Sequence, residues 1–334
     1  MIPEKEKPLS VEILAEETEK GFSGVSGMPD KLARYGKARR RAVEMKEYCI
    51  DHGHVKEGNR LKSCGNYLAF LHYFTVDEMR LHAAQFCKKH LLCPLCAIRR
   101  GAKMLKAYLK KYQSVIAERP SLSPYLVTLT VKNGDDLEKS LLQLRRSMHK
   151  MTEARRNALK GQLFVEFAKS AGGFHSVEVT NKGNGWHPHV HMIWLCETPP
   201  DQVQLSREWL DITGDSYIVD VRPLTDPVEG FIEVCKYAMK FSDLSLADNF
   251  HAYEVMHGQR LFDSHGCMRG VVVPDSLLDD LDLDDLPYIE LIYEYAGDAG
   301  YSLRESSEVR QGKNQAFRLK KRNKIIARSF VPKS

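Results

Sequence analysis

Three histidines at strict two-residue spacing, His187, His189 and His191, are the residues of this chain best placed to do chemistry. Side chains alternate faces along a β-strand, so all three would project from one face while Val190, Met192 and Trp194 fill the other. Neutral imidazoles held close together suit a divalent metal or a phosphate. A lone histidine at a sheet edge is most simply a solvent-facing polar position. Three on one face, bracketed by Trp186 and Trp194, point to a site.

A second group follows about forty residues on. Asp226-Pro227-Val228-Glu229 predicts a helix start, with Asp226 as N-cap, Pro227 in the first turn and Glu229 placed as in a capping box. Along that helix Val228, Phe231, Ile232, Cys235 and Met239 make an apolar stripe, and Glu233, Tyr237 and Lys240 fall at i, i+4 and i+7 on the other side. Such a face is as often simply solvated. Beside a metal cluster it acquires a use, because a tyrosine hydroxyl, with its pKa of about 10, is a poor nucleophile unless a metal polarises the electrophile and a cation steadies the phenolate. Lys240 can supply the cation, and Glu233 can activate a water or a second hydroxyl.

The third group is cysteine-rich. Cys93-Pro94-Leu95-Cys96 is a knuckle that lets two thiolates reach one tetrahedral zinc, and Cys87 with Cys64 can complete the shell, His90 being a substitute ranked below Cys64. The knuckle leads straight into Arg99, Arg100 and Lys103, which, with the basic blocks at either end, are candidate contacts for a polyanion such as DNA.

The elements that must carry these groups read as a mixed α/β pattern. Tyr125–Val131 is a strand, and a helix is predicted from about Asp135 to Lys160. Strands over 173–180 and 186–195 are joined by Asn181-Lys182-Gly183-Asn184-Gly185, a turn suited to a hairpin. With a loop of Lys182–Gly185, Asn181 pairs with Trp186 and Glu178 falls opposite His189 on the same face, an added carboxylate ligand. After Pro199 and Pro200 come a helix through Trp209 and a strand over Ser216–Val221, so the order is β-α-β-β-α-β.

With 334 residues and 43% hydrophobic content the chain can bury a sizeable core. Its formal charge of +5 is unevenly spread. Lys31, Arg34, Lys37, Arg39, Arg40 and Arg41 form one basic block, and Arg318, Lys320, Lys321, Arg322, Lys324 and Arg328 form another. An acidic run, Asp279, Asp280, Asp282, Asp284 and Asp285, lies between them and reads as a solvated linker. No stretch has the roughly 20 apolar residues of a membrane helix, and a cytoplasmic location is expected, where the eight cysteines are metal ligands or buried thiols. The expected organisation is a mobile leader and basic helix (1–60), a zinc-binding module and helix (61–120), a catalytic domain (121–270), and an acidic linker with a basic C-terminal segment (271–334).

These motifs resemble those of the plasmid rolling-circle replication initiators, bacterial single-tyrosine members of the HUH endonuclease superfamily. Leu126–Val131 resembles their first motif, Trp186–His191 the second, and Glu233-x-x-x-Tyr237-x-x-Lys240 the third. The cysteine segment is similar to the zinc-binding region preceding them, and Met256–Phe262 to a weaker C-terminal pattern. The resemblance implies an α+β fold, an HUH core with an antiparallel central sheet and a catalytic helix, preceded by a zinc module. It also implies a metal-dependent nicking and joining enzyme. In it His189 and His191, with an acidic residue such as Glu178, hold Mg²⁺ or Mn²⁺, and His187 is an auxiliary contact. Tyr237 attacks the scissile phosphate, leaving a 5′-phosphotyrosyl link and a 3′-hydroxyl primer. Lys240 assists it, and Glu233 activates water at termination. Plasmid origin DNA, a host helicase and a single-strand DNA-binding protein are the implied partners. Other readings stay open: a histidine-triad nucleotide hydrolase, in which the middle histidine is the nucleophile; a non-catalytic zinc-containing DNA-binding regulator; and, nearer, a transposase or conjugative relaxase of the same superfamily, against which the cysteine segment argues.

Overall fold

The first basic block winds into a 24-residue helix, Met28–Asp51, with Pro29 in its first turn. Its buried positions Leu32, Tyr35, Arg39, Ala42, Met45 and Cys49 recur every three or four residues, so one stripe faces inward. Arg39 lies on that stripe. Its guanidinium donates to the carbonyls of Leu61 and Lys62 at 3.0 and 2.7 Å and to Asn66 Oδ1 at 2.8 Å, which satisfies a buried charge with oxygen acceptors.

This is a computed structural model that describes residues 27–281, 283 and 286–310. The leader before residue 27, Asp282, Asp284 and Asp285 of the acidic run, and the whole basic tail lie outside the described residues. The described chain forms two compact units, one over 27–102 and from 274 onward, the other over 103–273. In the first, β1 (Tyr67–Tyr73) and β2 (Glu78–Ala84) form a hairpin. A helix, Pro94–Glu118, carries the chain onward, and residues from Lys103 belong to the second unit.

The second unit is built on a five-stranded sheet. Its strands are β3 (Ser123–Thr130), β4 (Ser170–Asn181), β5 (Trp186–Cys196), β6 (Val219–Pro223) and β7 (Phe262–Gly266), in the order β6-β3-β5-β4-β7 with every neighbour antiparallel. The helix Leu137–Ala158 joins β3 to β4 and is capped by Asp136, whose side chain accepts from Lys139 N at 3.0 Å. The helix Gln202–Thr213 precedes β6; Asp201 caps its start, and Gly214, at φ +82°, ends it in the left-handed conformation glycine adopts without strain. On one side of β5, Val190, Met192 and Trp194 are completely buried. The order β-α-β-β-α-β is as the pattern predicts, and the antiparallel central sheet is as the resemblance implies.

The chain then returns to the first unit. There β8 (Ile289–Tyr295) pairs with β1, and β9 (Tyr301–Ser306) pairs with β8, giving the order β2-β1-β8-β9. The segment read as an acidic linker therefore contributes two strands to the sheet that contains β1. Asp279 accepts from Leu81 N at 2.7 Å and pairs with Arg99, so it belongs to the interior of this unit. Among the described residues no helix is long and apolar enough to cross a membrane.

Candidate functional site

The register of the β4–β5 hairpin decides which side chains meet. Asn181 pairs with Trp186, so the loop is Lys182–Gly185 and Glu178 stands directly opposite His189. Across β5 from Glu178 is Thr130 of β3, and the next row of the same face holds Ser176, His191, Thr128 and Asp220. Antiparallel pairing puts each row on one face of the sheet. A carboxylate and two imidazoles thereby converge from adjacent strands.

Glu178 Oε2 lies 3.5 Å from His189 Nε2 and 3.7 Å from His191 Nε2. One donor atom from each of the three residues falls within 4.8 Å of the others. The second nitrogen of each imidazole is engaged: His189 Nδ1 donates to the His187 carbonyl at 3.1 Å, and His191 Nδ1 lies 3.1 Å from Thr128 Oγ1. That leaves both Nε2 atoms toward the carboxylate, the orientation outer partners impose on metal-binding histidines. Glu178 is completely buried, and neither of its oxygens meets a well-aligned hydrogen-bond donor. Burial pushes its carboxyl up, but the facing His189 ring, the charges of His191 and His189 and that of Lys240 outweigh it and hold the group below its ordinary value. Burial lowers His191 in turn, favouring the neutral ring that can be a ligand. A completely buried carboxylate facing two imidazole Nε2 atoms fits a divalent cation.

His187 stands apart from this triad. Its ring stacks on His189 with centroids 5.4 Å apart, and its Nδ1 lies 2.6 Å from Asn133 Oδ1. Glu233 is brought close, with Oε1 3.7 Å from His191 Nε2. Its other oxygen is held by Lys236, a completely buried lysine that the periodicity did not single out. Thr128 was missed as well, although Thr128 and Thr130 alternate with apolar residues in β3 and so had to share a face.

One expectation about this region gives way. Glu233, Tyr237 and Lys240 do not share one face of a continuous α-helix: the α-helix is Pro227–Cys235, and Tyr237–Asp243 is a 3₁₀ helix. Val234, Cys235, Lys236, Tyr237 and Ala238 are buried in succession, which no single amphipathic face allows. Tyr237, expected on the polar side, keeps 6% of its surface exposed, and its ring lies 6.2 Å from that of Phe262 on β7. At three residues per turn, Tyr237 and Lys240 eclipse one another.

The first unit carries a separate donor cluster, Cys64, Cys87, Cys93 and Cys96; His90 is not part of it. Cys64 Sγ is 3.6 Å from Cys93 Sγ and 3.5 Å from Cys96 Sγ, and Cys87 Sγ is 3.6 Å from Cys96 Sγ. A tetrahedral zinc with Zn–S of about 2.3 Å sets sulfurs about 3.8 Å apart, so the four side chains fit that ion closely. Hydrogen bonds from Cys64, Cys87 and Cys96 hold the Cys93 thiol well below its usual value, whereas hydrogen bonding to their neighbours pushes Cys64 and Cys96 up. Gly65 is needed beside them: its φ is +70°, and a Cβ there would meet Leu95 Cδ2 at 2.4 Å.

The three proposed DNA contacts are not alike. Arg99 is buried, donating to the Leu277 carbonyl at 2.8 Å and to the Tyr35 hydroxyl at 3.2 Å while it pairs with Asp279. It is an internal tie, because each guanidinium nitrogen has an acceptor within the unit, and its burial does not fit the expectation that it touches DNA. Arg100 reaches the Pro274 carbonyl at 3.1 Å from a partly exposed position, and Lys103 is buried.

The family model described as "Replication protein" matches residues 78–296. A "Protein rep" of Streptococcus pneumoniae serotype 2 is 31% identical over 176 residues, covering 50% of this chain and 52% of the relative. Another "Protein rep", from a Bacillus species, is 29% identical over 145 residues, 42% of this chain and 43% of the relative. A third, from Lactiplantibacillus plantarum, is 24% identical over 265 residues, 70% and 79% of the two chains. The match thus spans about half the length of the first two relatives. No solved structure matches the chain.

Proposed function

Because the chain belongs to the Rep_1 family of replication proteins, we propose that it initiates rolling-circle replication of a plasmid by nicking one strand at the origin and rejoining it at termination. The observation that carries this reading is the buried Glu178, His189 and His191 triad with Glu233 beside it, on one sheet face. A Mg²⁺ or Mn²⁺ ion held by Glu178, His189 and His191 would supply Lewis-acid polarisation of the scissile phosphate. Tyr237 Oη gives up its proton and attacks phosphorus, the P–O3′ bond breaks, and a proton equivalent to the one Tyr237 released ends, through solvent, on the departing 3′ oxygen as a hydroxyl. The 5′-phosphotyrosyl bond retains the energy for rejoining. Lys240, one 3₁₀ turn from Tyr237, steadies the phenolate and orients the phosphate. Glu233, aligned by Lys236, accepts the proton of the water that ends the cycle. His187 is an auxiliary contact beyond the triad.

The four-cysteine cluster takes a structural Zn²⁺, and origin DNA is the substrate. Family membership sets aside the histidine-triad hydrolase. The test is a nicking assay on the supercoiled replicon that encodes the chain, with Mg²⁺, Mn²⁺ or chelator, followed by denaturation and sequencing of the DNA-linked peptide. Metal-dependent nicks with DNA joined to Tyr237, abolished in Tyr237→Phe, are expected. Specific DNA retention with no covalent product from zinc-loaded protein would instead establish the non-catalytic regulator.

A further inference from the structure

Next to the metal triad, and within the same unit, lies a cleft of 460 Å³ whose walls include Lys132, Asn133, His187, Tyr217 and Ile218. That volume falls in the range of about 300–1,000 Å³ typical of small-ligand sites. It abuts the triad directly: Thr130 lines the cleft and pairs with His189, while His187 lines it and stacks on the same ring.

One wall is the loop before β6, and it is braced. Thr213 Oγ1 donates to the Ser216 carbonyl at 2.8 Å, Ser216 Oγ donates to Asp215 Oδ1 at 2.6 Å, and Gln143 Nε2 donates to the same oxygen at 2.8 Å. Lys132 N donates to Ser216 Oγ at 2.9 Å and Thr130 Oγ1 to the Ile218 carbonyl at 3.2 Å, tying this wall to the end of β3. On this fixed loop Tyr217 and Ile218 are 62% and 61% exposed. Two large apolar side chains held to solvent by a braced backbone form a surface that favours a flat apolar partner.

The lining also carries polar side chains. Asn133 Oδ1 lies 2.6 Å from His187 Nδ1, and Lys132 is an exposed cation. An aromatic platform, an imidazole and a lysine together match a nucleobase with its phosphate. Resting on the nicking function proposed above, we propose that this cleft takes one unstacked base of the DNA strand that carries the scissile phosphate. Tyr217 stacks on the base, Ile218 packs beside it, and Lys132 meets the neighbouring phosphate. The bases of an intact duplex are already stacked and cannot enter, so the cleft selects single-stranded DNA at the nick site.

The probe is fluorescein-labelled dT20, titrated with zinc-loaded protein and no added Mg²⁺ or Mn²⁺ so that no strand is cut, and compared with a 20-base-pair duplex carrying the same label. Tyr217→Ala is expected to weaken dT20 binding about 5- to 150-fold, the range for losing one aromatic–base stack, with duplex binding unchanged and Tyr217→Phe close to wild type. In the unsubstituted protein, dT20 containing 5-bromodeoxyuridine is expected to photo-crosslink within residues 215–218. Unchanged dT20 affinity in Tyr217→Ala, equal weakening on duplex, or crosslinks confined to other segments would overturn the proposal. The two readings fail separately. A Tyr237 adduct with no Tyr217 effect removes the base cleft alone, whereas a Tyr217 effect without the adduct removes nicking alone.

Discussion

Replacing Glu178 by Gln tests the triad most directly, since it keeps the shape of a completely buried side chain and removes the charge. A ligand that binds only the folded state stabilises it by RT ln(1 + [L]/Kd), about 2.7 kcal/mol at a hundred times Kd. Losing even an outer partner of a metal site costs 10- to 100-fold in affinity, and Glu178 supplies the only carboxylate of its three-residue cluster. A 100-fold loss leaves RT ln 2, about 0.4 kcal/mol, at the same metal concentration. The difference of about 2.3 kcal/mol corresponds to about 5–9 °C in a unit of roughly 170 residues. Thermal melting of zinc-loaded protein, with and without Mn²⁺, reads it out. Each protein is compared with itself, so any change in the metal-free fold cancels. Equal Mn²⁺-dependent shifts in Glu178→Gln and wild type would refute the placement of the cation at this triad.

Thr128→Val removes the group beside His191 Nδ1 and should weaken Mn²⁺ binding about 10- to 100-fold by calorimetry while leaving zinc content intact. Arg99→Ala should cost about 3–5 kcal/mol in urea unfolding, because it leaves Asp279 without its buried partner; a normal fold with selectively weakened DNA binding would contradict that assignment. Asp279 sits at about 2 against an ordinary 3.8, despite burial, because the charges of Arg99 and Lys31 and hydrogen bonds from Arg99 and Leu81 N hold it down. A depressed carboxyl stabilises above its unfolded value, so about 2 kcal/mol, present above pH 4, should be lost as pH falls toward 2; Asp279→Asn should flatten that limb of an acid titration. Cys93→Ser should lose the zinc measured by elemental analysis and destabilise the first unit, since structural zinc contributes about 10–16 kcal/mol to such folds.

Much of the site was legible because its signals are local. A period of two in β5 is enough to place three histidines on one face, and a hairpin loop of four residues is enough to bring Glu178 opposite His189. The cysteine spacing likewise named all four members of the thiol cluster. Less was legible where two elements compete for a residue. Periodicity carried the helix after Asp226 through Lys240, but the burial of five successive residues is a tertiary demand, and the chain meets it by tightening to a 3₁₀ turn after Cys235. Arg99 looked like a DNA contact because charge in a sequence carries no direction; its partner Asp279 lies 180 residues away.

The sequence by itself determined the chemistry available: which residue types could ligate a metal or serve as a nucleophile, and which way each strand face points, since those follow from side-chain type and short-range period. Only the tertiary structure decided what stands next to what across long separations. It placed Thr128 behind His191 and Lys236 on Glu233, enclosed Arg99, and opened the Tyr217 cleft beside His187. These are outcomes of strand order and packing, in which every buried charge must find an oxygen or a counter-ion, and no local pattern encodes which one it finds.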